Sequence, residues 1–173
     1  MKNMKKYLLT TLLLISASLM LKAQDDATIN KTGDKAPVFK CTTIDGKTID
    51  LSKTQGKIVM LTFFATWCGP CNEELPVIEK EIYNKYKSNP NFIFVAIGRQ
   101  HTEQELKDFA AKKSLSLPFA PDPDKSIYTL YAKQMIPRNV VIGRDGKILL
   151  QEIGFFPEDF SKLKDLLGKE LGE

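Results

Sequence analysis

The sequence has few cysteine and histidine residues, which are the usual ligands of structural zinc. It contains three cysteines and one histidine. Cys68 and Cys71 have the spacing found in half of a zinc site, but such a site needs a second pair of ligands. Cys41 and His101 stand alone, without a partner at that spacing. The sequence therefore argues against structural zinc, and we predict no bound metal.

The net positive charge of the chain comes from its start, because basic and acidic residues balance in the remainder. The formal net charge is +4, and residues 1–23 contain four lysines and no acidic residue. Residues 24–173 therefore have a formal net charge of about 0, which gives no electrostatic reason to bind nucleic acid. We expect no nucleic-acid partner.

The one long apolar stretch is too short for a typical membrane span. It covers residues 7–21, follows a basic start and ends before Lys22 and Ala23. This is the three-part pattern of a secretory signal peptide, whereas a membrane helix needs about 20 apolar residues. We predict a signal peptide over residues 1–23 and export to the periplasm or cell envelope. An uncleaved N-terminal membrane anchor is the alternative.

Internal repeats and low-complexity segments are also missing from the rest of the chain. Residues 24–35 are polar, which predicts a flexible linker. Residues 36–173 have about the length of one domain, so we predict a single domain there.

The chemically informative stretch is Trp-Cys-Gly-Pro-Cys at residues 67–71. The apolar run Ile58–Phe64 before it predicts a buried strand, and the amphipathic run at residues 73–86 predicts a helix. Cys68 then lies at the helix N-terminus, where free N–H groups and the helix dipole favour its thiolate. Cys71 lies within reach of it, one helical turn on, so the pair is suited to thiol–disulfide exchange. A purely structural disulfide is disfavoured, because so short a loop constrains little unfolded chain.

Apolar periodicity along the rest of the domain predicts alternating strands and helices in an α/β three-layer arrangement. A capping box at Thr102 and Glu105 predicts a helix start, and Asp145-Gly146 predicts a hairpin with a type I′ turn. The further predicted elements are a hairpin turning at Asp45-Gly46, strands at residues 92–97, 139–142 and 148–153, and helices at residues 125–133 and 157–171.

The motif and its surroundings resemble the thioredoxin family. Pro76, and Ile136-Pro137 ahead of a strand, stand where that family has a helix-kinking proline and a cis-proline. Residues 36–52 resemble the N-terminal extension of the TlpA/ResA-like branch, and Glu74 matches the helix glutamate of that branch. The resemblance implies a thioredoxin-like three-layer fold, with a mixed central sheet flanked by helices and an N-terminal β-hairpin extension.

The resemblance also implies roles for site residues. Cys68 and Cys71 would form the redox-active disulfide, with a cis-Pro137 facing the pair and presenting a carbonyl acceptor without an N–H. A partner's disulfide would lie along a groove beside that proline. The groove residues are then Trp67, Gly69, Pro70 and Ile136.

Glu74 is the candidate general base. Thioredoxins proper often carry a buried aspartate at the position of Thr62, so that residue's role cannot be transferred to this chain. Glu74 lies on the same helix face as Cys71, which must lose its proton before it attacks a mixed disulfide. Burial would raise the pKa of the Glu74 carboxyl. The alternative is an exposed surface carboxylate, as expected for neighbouring Glu73.

These features predict an exported thiol–disulfide oxidoreductase without a bound cofactor, acting as a monomer. Its partners would be disulfide-containing envelope proteins and a membrane electron donor, and the resemblance suggests a role in cytochrome c maturation. An uncharged Gly69-Pro70 pair, with Glu73 and Glu74 nearby, disfavours a strongly stabilised thiolate and so indicates a reductant.

The same sequence features are compatible with two other functions. A thiol peroxidase would resemble peroxiredoxins, which place a threonine three residues before the reactive cysteine; here Thr66 lies two before Cys68. A binding module that kept the fold without its chemistry is the other. Cys41 is expected to be a small buried hydrophobe, with a third redox thiol as the alternative, and His101 is expected at the solvated surface.

Overall fold

A five-stranded sheet forms the centre of the protein, and a two-stranded sheet precedes it along the chain. The computed structural model describes residues 27–172. No helix in this range is long and apolar enough to cross a membrane. The strands are β1 (Lys40–Thr42), β2 (Thr48–Asp50), β3 (Ile58–Phe64), β4 (Phe92–Arg99), β5 (Phe119–Asp122), β6 (Arg138–Ile142) and β7 (Ile148–Ile153); the helices are α1 (Gly69–Ile78), α2 (Asn84–Tyr86), α3 (Glu103–Lys113), α4 (Tyr128–Tyr131) and α5 (Pro157–Leu171).

The central strand β3 is buried along its whole length. It runs parallel to β4 and antiparallel to β6. Strand β5 extends the parallel side, and β7 extends the antiparallel side. The predicted mixed sheet and the N-terminal hairpin are both confirmed.

Side chains of β3 alternate between two cores, one on each face of the sheet, because successive strand residues point to opposite faces. Ile58, Met60 and Phe64 pack with residues of α1, α3 and α5. Val59, Leu61 and Phe63 pack with α4 and the hairpin. This arrangement gives the three layers expected from the sequence.

Helix α1 begins directly after the turn that follows β3. It continues through a π-helical segment, Glu79–Tyr83, into α2. The apolar stripe predicted for this helix is buried on the sheet. Pro76 lies inside α1, where it lacks the N–H that would continue the helical hydrogen bonds. The stripe consists of Leu75, Ile78, Ile82 and Tyr86.

The hairpin between β6 and β7 does not turn as predicted. A type I′ turn requires positive φ at both central residues, whereas Gly146 has φ 80° and Asp145 is not among the residues with positive φ. The N–H of Gly146 donates to the carbonyl of Gly143, and the N–H of Gly143 donates to the carbonyl of Lys147. This is a type I turn followed by a left-handed glycine, a geometry that Asp-Gly suits equally well.

Residues 27–35 lie against the domain, so the prediction of a flexible linker is wrong for this segment. Ala27 is fully buried, and Thr28 forms a β-bridge with Ala132. The Arg138 guanidinium donates to the Thr28 hydroxyl (3.1 Å) and to the Ala27 carbonyl (3.4 Å). The polar composition of this segment did not indicate these contacts with the domain. The first three linker residues and the predicted signal peptide lie outside the described residues.

Candidate active site

Cys68 and Cys71 form a disulfide at the N-terminus of α1. Cys68 is the N-cap residue, and the Cys71 N–H donates to its sulfur at 3.3 Å. Cys68 keeps 6% of its surface exposed, whereas Cys71 is fully buried. The predicted position of the pair, at a strand-to-helix turn, is confirmed. Cys68 is therefore the more accessible residue of the pair.

Asn72 ties this turn to the helix. Its side-chain amide donates to the carbonyls of Thr66 (2.9 Å) and Cys68 (2.8 Å). The Cys68 N–H donates to the Ala65 carbonyl. The backbone between β3 and α1 is thus held by several hydrogen bonds within a few residues of the sulfurs.

His101 is buried beside the same turn, so the prediction of a solvated surface histidine is wrong. It is 5% exposed, and its Nε2 accepts the Thr66 N–H at 3.0 Å. Because β3 and β4 are parallel neighbours, the loops that follow them lie side by side. Burial lowers the pKa of His101, and the nearby charge of Glu105 opposes this shift.

Glu74 is also buried, with 1% of its surface exposed. The Asn139 amide donates to its Oε1 at 2.6 Å, and the Thr62 hydroxyl donates to the Asn139 Oδ1 at 2.8 Å. The other carboxyl oxygen, Oε2, is buried and has no hydrogen-bond partner within residues 27–172. The alternative of an exposed carboxylate is excluded for Glu74, whereas neighbouring Glu73 is exposed as expected.

Burial raises the pKa of Glu74 to about 7; the Asn139 hydrogen bond opposes the increase and the charge of Glu152 adds to it. Glu152 lies opposite Asn139 on β7. Its own pKa is raised to about 7, first by burial and then by the charge of Asp159. The direction of this shift agrees with the expected effect of burial on the Glu74 carboxyl.

The Ile136–Pro137 peptide bond is cis, as predicted. Pro137 is buried, and its carbonyl accepts the Gly154 N–H at 2.8 Å. The acceptor that we expected Pro137 to offer a partner is therefore used within the fold. Ile136 is half-buried and packs against the core that contains both cysteines.

The remaining predicted groove residues lie at the surface. Trp67 is 67% exposed, and Gly69 and Pro70 are exposed beside it. A Cβ added to Gly69 would meet no atom within 4 Å apart from its chain neighbours and the backbone of its own helix, so the space beside it is open. An apolar surface thus borders the more accessible cysteine.

Cys41 is a buried free thiol in the other core, as expected for a small hydrophobe. Burial raises its pKa to about 11, and the charge of Asp122 adds to the shift. Within residues 27–172, no group of three or more histidine, cysteine or acidic side chains is arranged to hold a metal ion.

Comparison with known proteins places these features in a family. The Redoxin family model matches residues 31–167. A thiol–disulfide oxidoreductase named ResA from Bacillus thuringiensis (strain Al Hakam) is 37% identical over 122 residues, which cover 70% of this chain and 69% of the relative.

Two solved structures are similar to this chain in both fold and sequence. A putative protein disulfide isomerase from Bacteroides thetaiotaomicron is 38% identical, with a TM-score of 0.81 over 85% of this chain and 94% of the other. A putative thiol:disulfide interchange protein DsbE from Chlorobium tepidum is 32% identical, with a TM-score of 0.70 over 83% of this chain and all of the other.

Proposed function

Because this chain belongs to the Redoxin family and is a thiol–disulfide oxidoreductase, we propose that it reduces disulfides in proteins of the cell envelope. The observation that carries the proposal is the Cys68–Cys71 disulfide at a helix N-terminus, one helical turn from the buried carboxyl of Glu74. The reduced dithiol is the working form of a reductant.

The first step is attack by the Cys68 thiolate on one sulfur of the partner's disulfide. A mixed disulfide forms between Cys68 and the partner, and the partner's second sulfur leaves as a thiolate. The position of Cys68 as N-cap residue and its residual exposure support this role. Cys71, fully buried behind it, is the resolving thiol.

The second step is attack by Cys71 on the Cys68 sulfur. The Cys71 thiol first gives its proton to a base, and the unpartnered Oε2 of Glu74 is the group that we assign to this task. A new disulfide then joins the two cysteines, and the partner leaves with both of its sulfurs reduced. Two electrons have passed from the protein to the partner.

The partner's chain is proposed to lie against Trp67, Gly69, Pro70 and Ile136. Exposure of the first three, and the packing of Ile136 against the core of the cysteines, support this surface. Pro137 contributes by shape, since its carbonyl is already bound to Gly154. The surface is apolar, so we expect it to prefer extended apolar segments around the target disulfide.

The direction of electron flow follows from the charges near Cys68. An oxidant needs a strongly stabilised thiolate, but the dipeptide between the cysteines is uncharged and Glu73 and Glu74 follow it. Burial holds His101 towards its neutral form, so it adds no fixed positive charge. These features support a reductant.

Export, by the predicted signal peptide or an uncleaved anchor, is the part of the proposal that rests on residues 1–23. An exported reductant must receive electrons across the membrane, so we propose a membrane electron donor. We further propose that the protein acts as a monomer and that its envelope partners include apocytochromes c.

The decisive experiment is trapping of partners with Cys71→Ser. This variant attacks but cannot resolve, so it should accumulate mixed disulfides with envelope proteins, whereas Cys68→Ser should trap none. Cys41→Ser is the matched control and should behave as the parent protein. Mixed disulfides that form through Cys41, or equal trapping by Cys68→Ser, would refute the assignment.

Turnover assays separate this function from the peroxidase alternative. The purified protein should reduce a protein disulfide at the expense of a supplied dithiol. Consumption of hydrogen peroxide at a rate matching or exceeding that reaction would favour a peroxidase instead.

A further inference from the structure

His101 is the single histidine of the chain, and the proposed exchange reaction gives it no task. It follows β4, and its own N–H donates to the carbonyl of Gly98. Its imidazole reaches the neighbouring turn, where Nε2 accepts the Thr66 N–H. A buried side chain that spans two loops at the active site calls for a functional explanation.

The hydrogen bond defines the tautomer of the ring. An imidazole nitrogen that accepts a hydrogen bond carries no proton, so neutral His101 holds its proton on Nδ1. Nδ1 is buried without a hydrogen-bond partner in the described part of the chain, and Glu105 Oε2 lies 3.8 Å from it. That carboxylate also accepts the N–H and hydroxyl of Thr102 as part of the cap of α3.

Both backbone polar groups of Thr66 are therefore bound by side chains. His101 holds its N–H, and Asn72 holds its carbonyl. Thr66 lies two residues before Cys68, whose sulfur receives the Cys71 N–H at the helix N-terminus. A shift of this backbone would move the sulfur away from the groups that stabilise its thiolate.

We propose that His101 is a positioning residue for the Cys68 thiolate: its neutral Nδ1–H tautomer fixes the Thr66 backbone and thereby holds Cys68 at the start of α1. The proposal rests on the proposed function only in taking Cys68 as the attacking thiol. Protonation of Nε2 replaces the acceptor by a donor and removes the bond. Glu105, from α3, is the ionisable side chain that acts on the ring.

The test compares His101→Leu with His101→Gln and His101→Asn. Glutamine can present an oxygen near the position of Nε2, whereas asparagine is too short and leucine has no acceptor. The alkylation rate of Cys68 is measured against pH in each reduced protein, with far-UV circular dichroism to establish folding. We expect leucine and asparagine to raise the Cys68 pKa and slow alkylation at pH 7 by about fivefold, the effect of one hydrogen bond. Glutamine should restore the parent profile.

A merely structural role would lower the stability of the variants without moving the Cys68 pKa, and that result would overturn the proposal. If the leucine variant does not fold, the comparison between glutamine and asparagine decides in its place. In the unmodified protein, nitrogen NMR of the single histidine should show the proton on Nδ1. A proton on Nε2 at neutral pH would refute the proposal without any substitution.

The proposed function is tested separately by the same alkylation data. If Cys68 is not the fast-reacting thiol of the unmodified protein, the assignment of the attacking cysteine fails whatever the variants do. If Cys68 reacts first and all three variants match the unmodified protein, only the role of His101 fails.

Discussion

Replacing Glu74 by glutamine should change how the stability of the oxidised protein depends on pH. The carboxyl has its pKa raised from 4.5 to about 7 in the folded protein, chiefly by burial. Because the folded-state pKa lies above the unfolded value, the protonated carboxyl favours folding. This contribution is complete below pH 4.5 and is lost as the pH rises through about 7.

The size of the effect follows from the shift. One pKa unit corresponds to about 1.4 kcal/mol, so the ionised carboxylate disfavours the folded state by about 3 kcal/mol well above pH 7. Most of this loss occurs between pH 5 and pH 8, so the free energy of unfolding should fall by about 2–3 kcal/mol between these two values. A glutamine accepts the Asn139 amide as the carboxylate does but does not titrate, so its variant should not show this loss.

The assay is urea unfolding at pH 5 and pH 8 of the oxidised protein, in which Cys68 and Cys71 do not titrate. Exposed Glu73 provides the matched control, since Glu73→Gln should keep the pH dependence of the parent protein. Glu74→Gln should also slow the resolving step by Cys71 and alter its pH–rate profile. Parallel stability curves for the parent protein and Glu74→Gln would refute the reasoning.

Three further predictions concern the same site. Alkylation of the reduced protein near neutral pH should modify Cys68 first and Cys41 last, because burial raises the Cys41 pKa to about 11. Mass spectrometry of the labelled peptides gives the order of labelling. Early labelling of Cys41 would contradict the prediction. Asn139→Leu removes the donor that lowers the pKa of Glu74, so that pKa should rise further in a carboxyl infrared titration, and a fall would contradict the assignment. Equilibration with glutathione buffers should give a potential near that of thioredoxin, about −270 mV, whereas a value near about −120 mV would identify an oxidant.

The elements around the cysteines could be predicted from local sequence. A continuous apolar run, a motif with glycine and proline, and an amphipathic run specify strand, turn and helix within one short stretch. The burial of Glu74 could also be predicted from the sequence, because Glu74 shares a helix face with Cys71. These properties depend on neighbours along the chain, which a sequence displays directly.

His101 and Asn139 could not be assigned in the same way, because their contacts depend on how strands align. Asn139 meets Glu74 since β6 pairs with β3 in a register that sets Asn139 opposite Thr62. His101 meets the cysteine turn since β4 lies parallel to β3. One signal for His101 was present in the sequence, because residues that closely follow two parallel neighbouring strands lie at the same edge of the sheet.

The buried Cys41 makes the oxidised protein its own reporter of local opening. The other two cysteines are joined, so Cys41 is then the sole thiol of the chain. It lies in β1 of a hairpin whose Ile44 N–H donates to the Phe119 carbonyl of β5, and because Cys41 is buried we expect it to react when that hairpin comes away from the core. Its labelling rate therefore measures the free energy of hairpin detachment, about 1.4 kcal/mol for each tenfold change in rate. No probe has to be introduced, and the measurement leaves the active-site disulfide untouched.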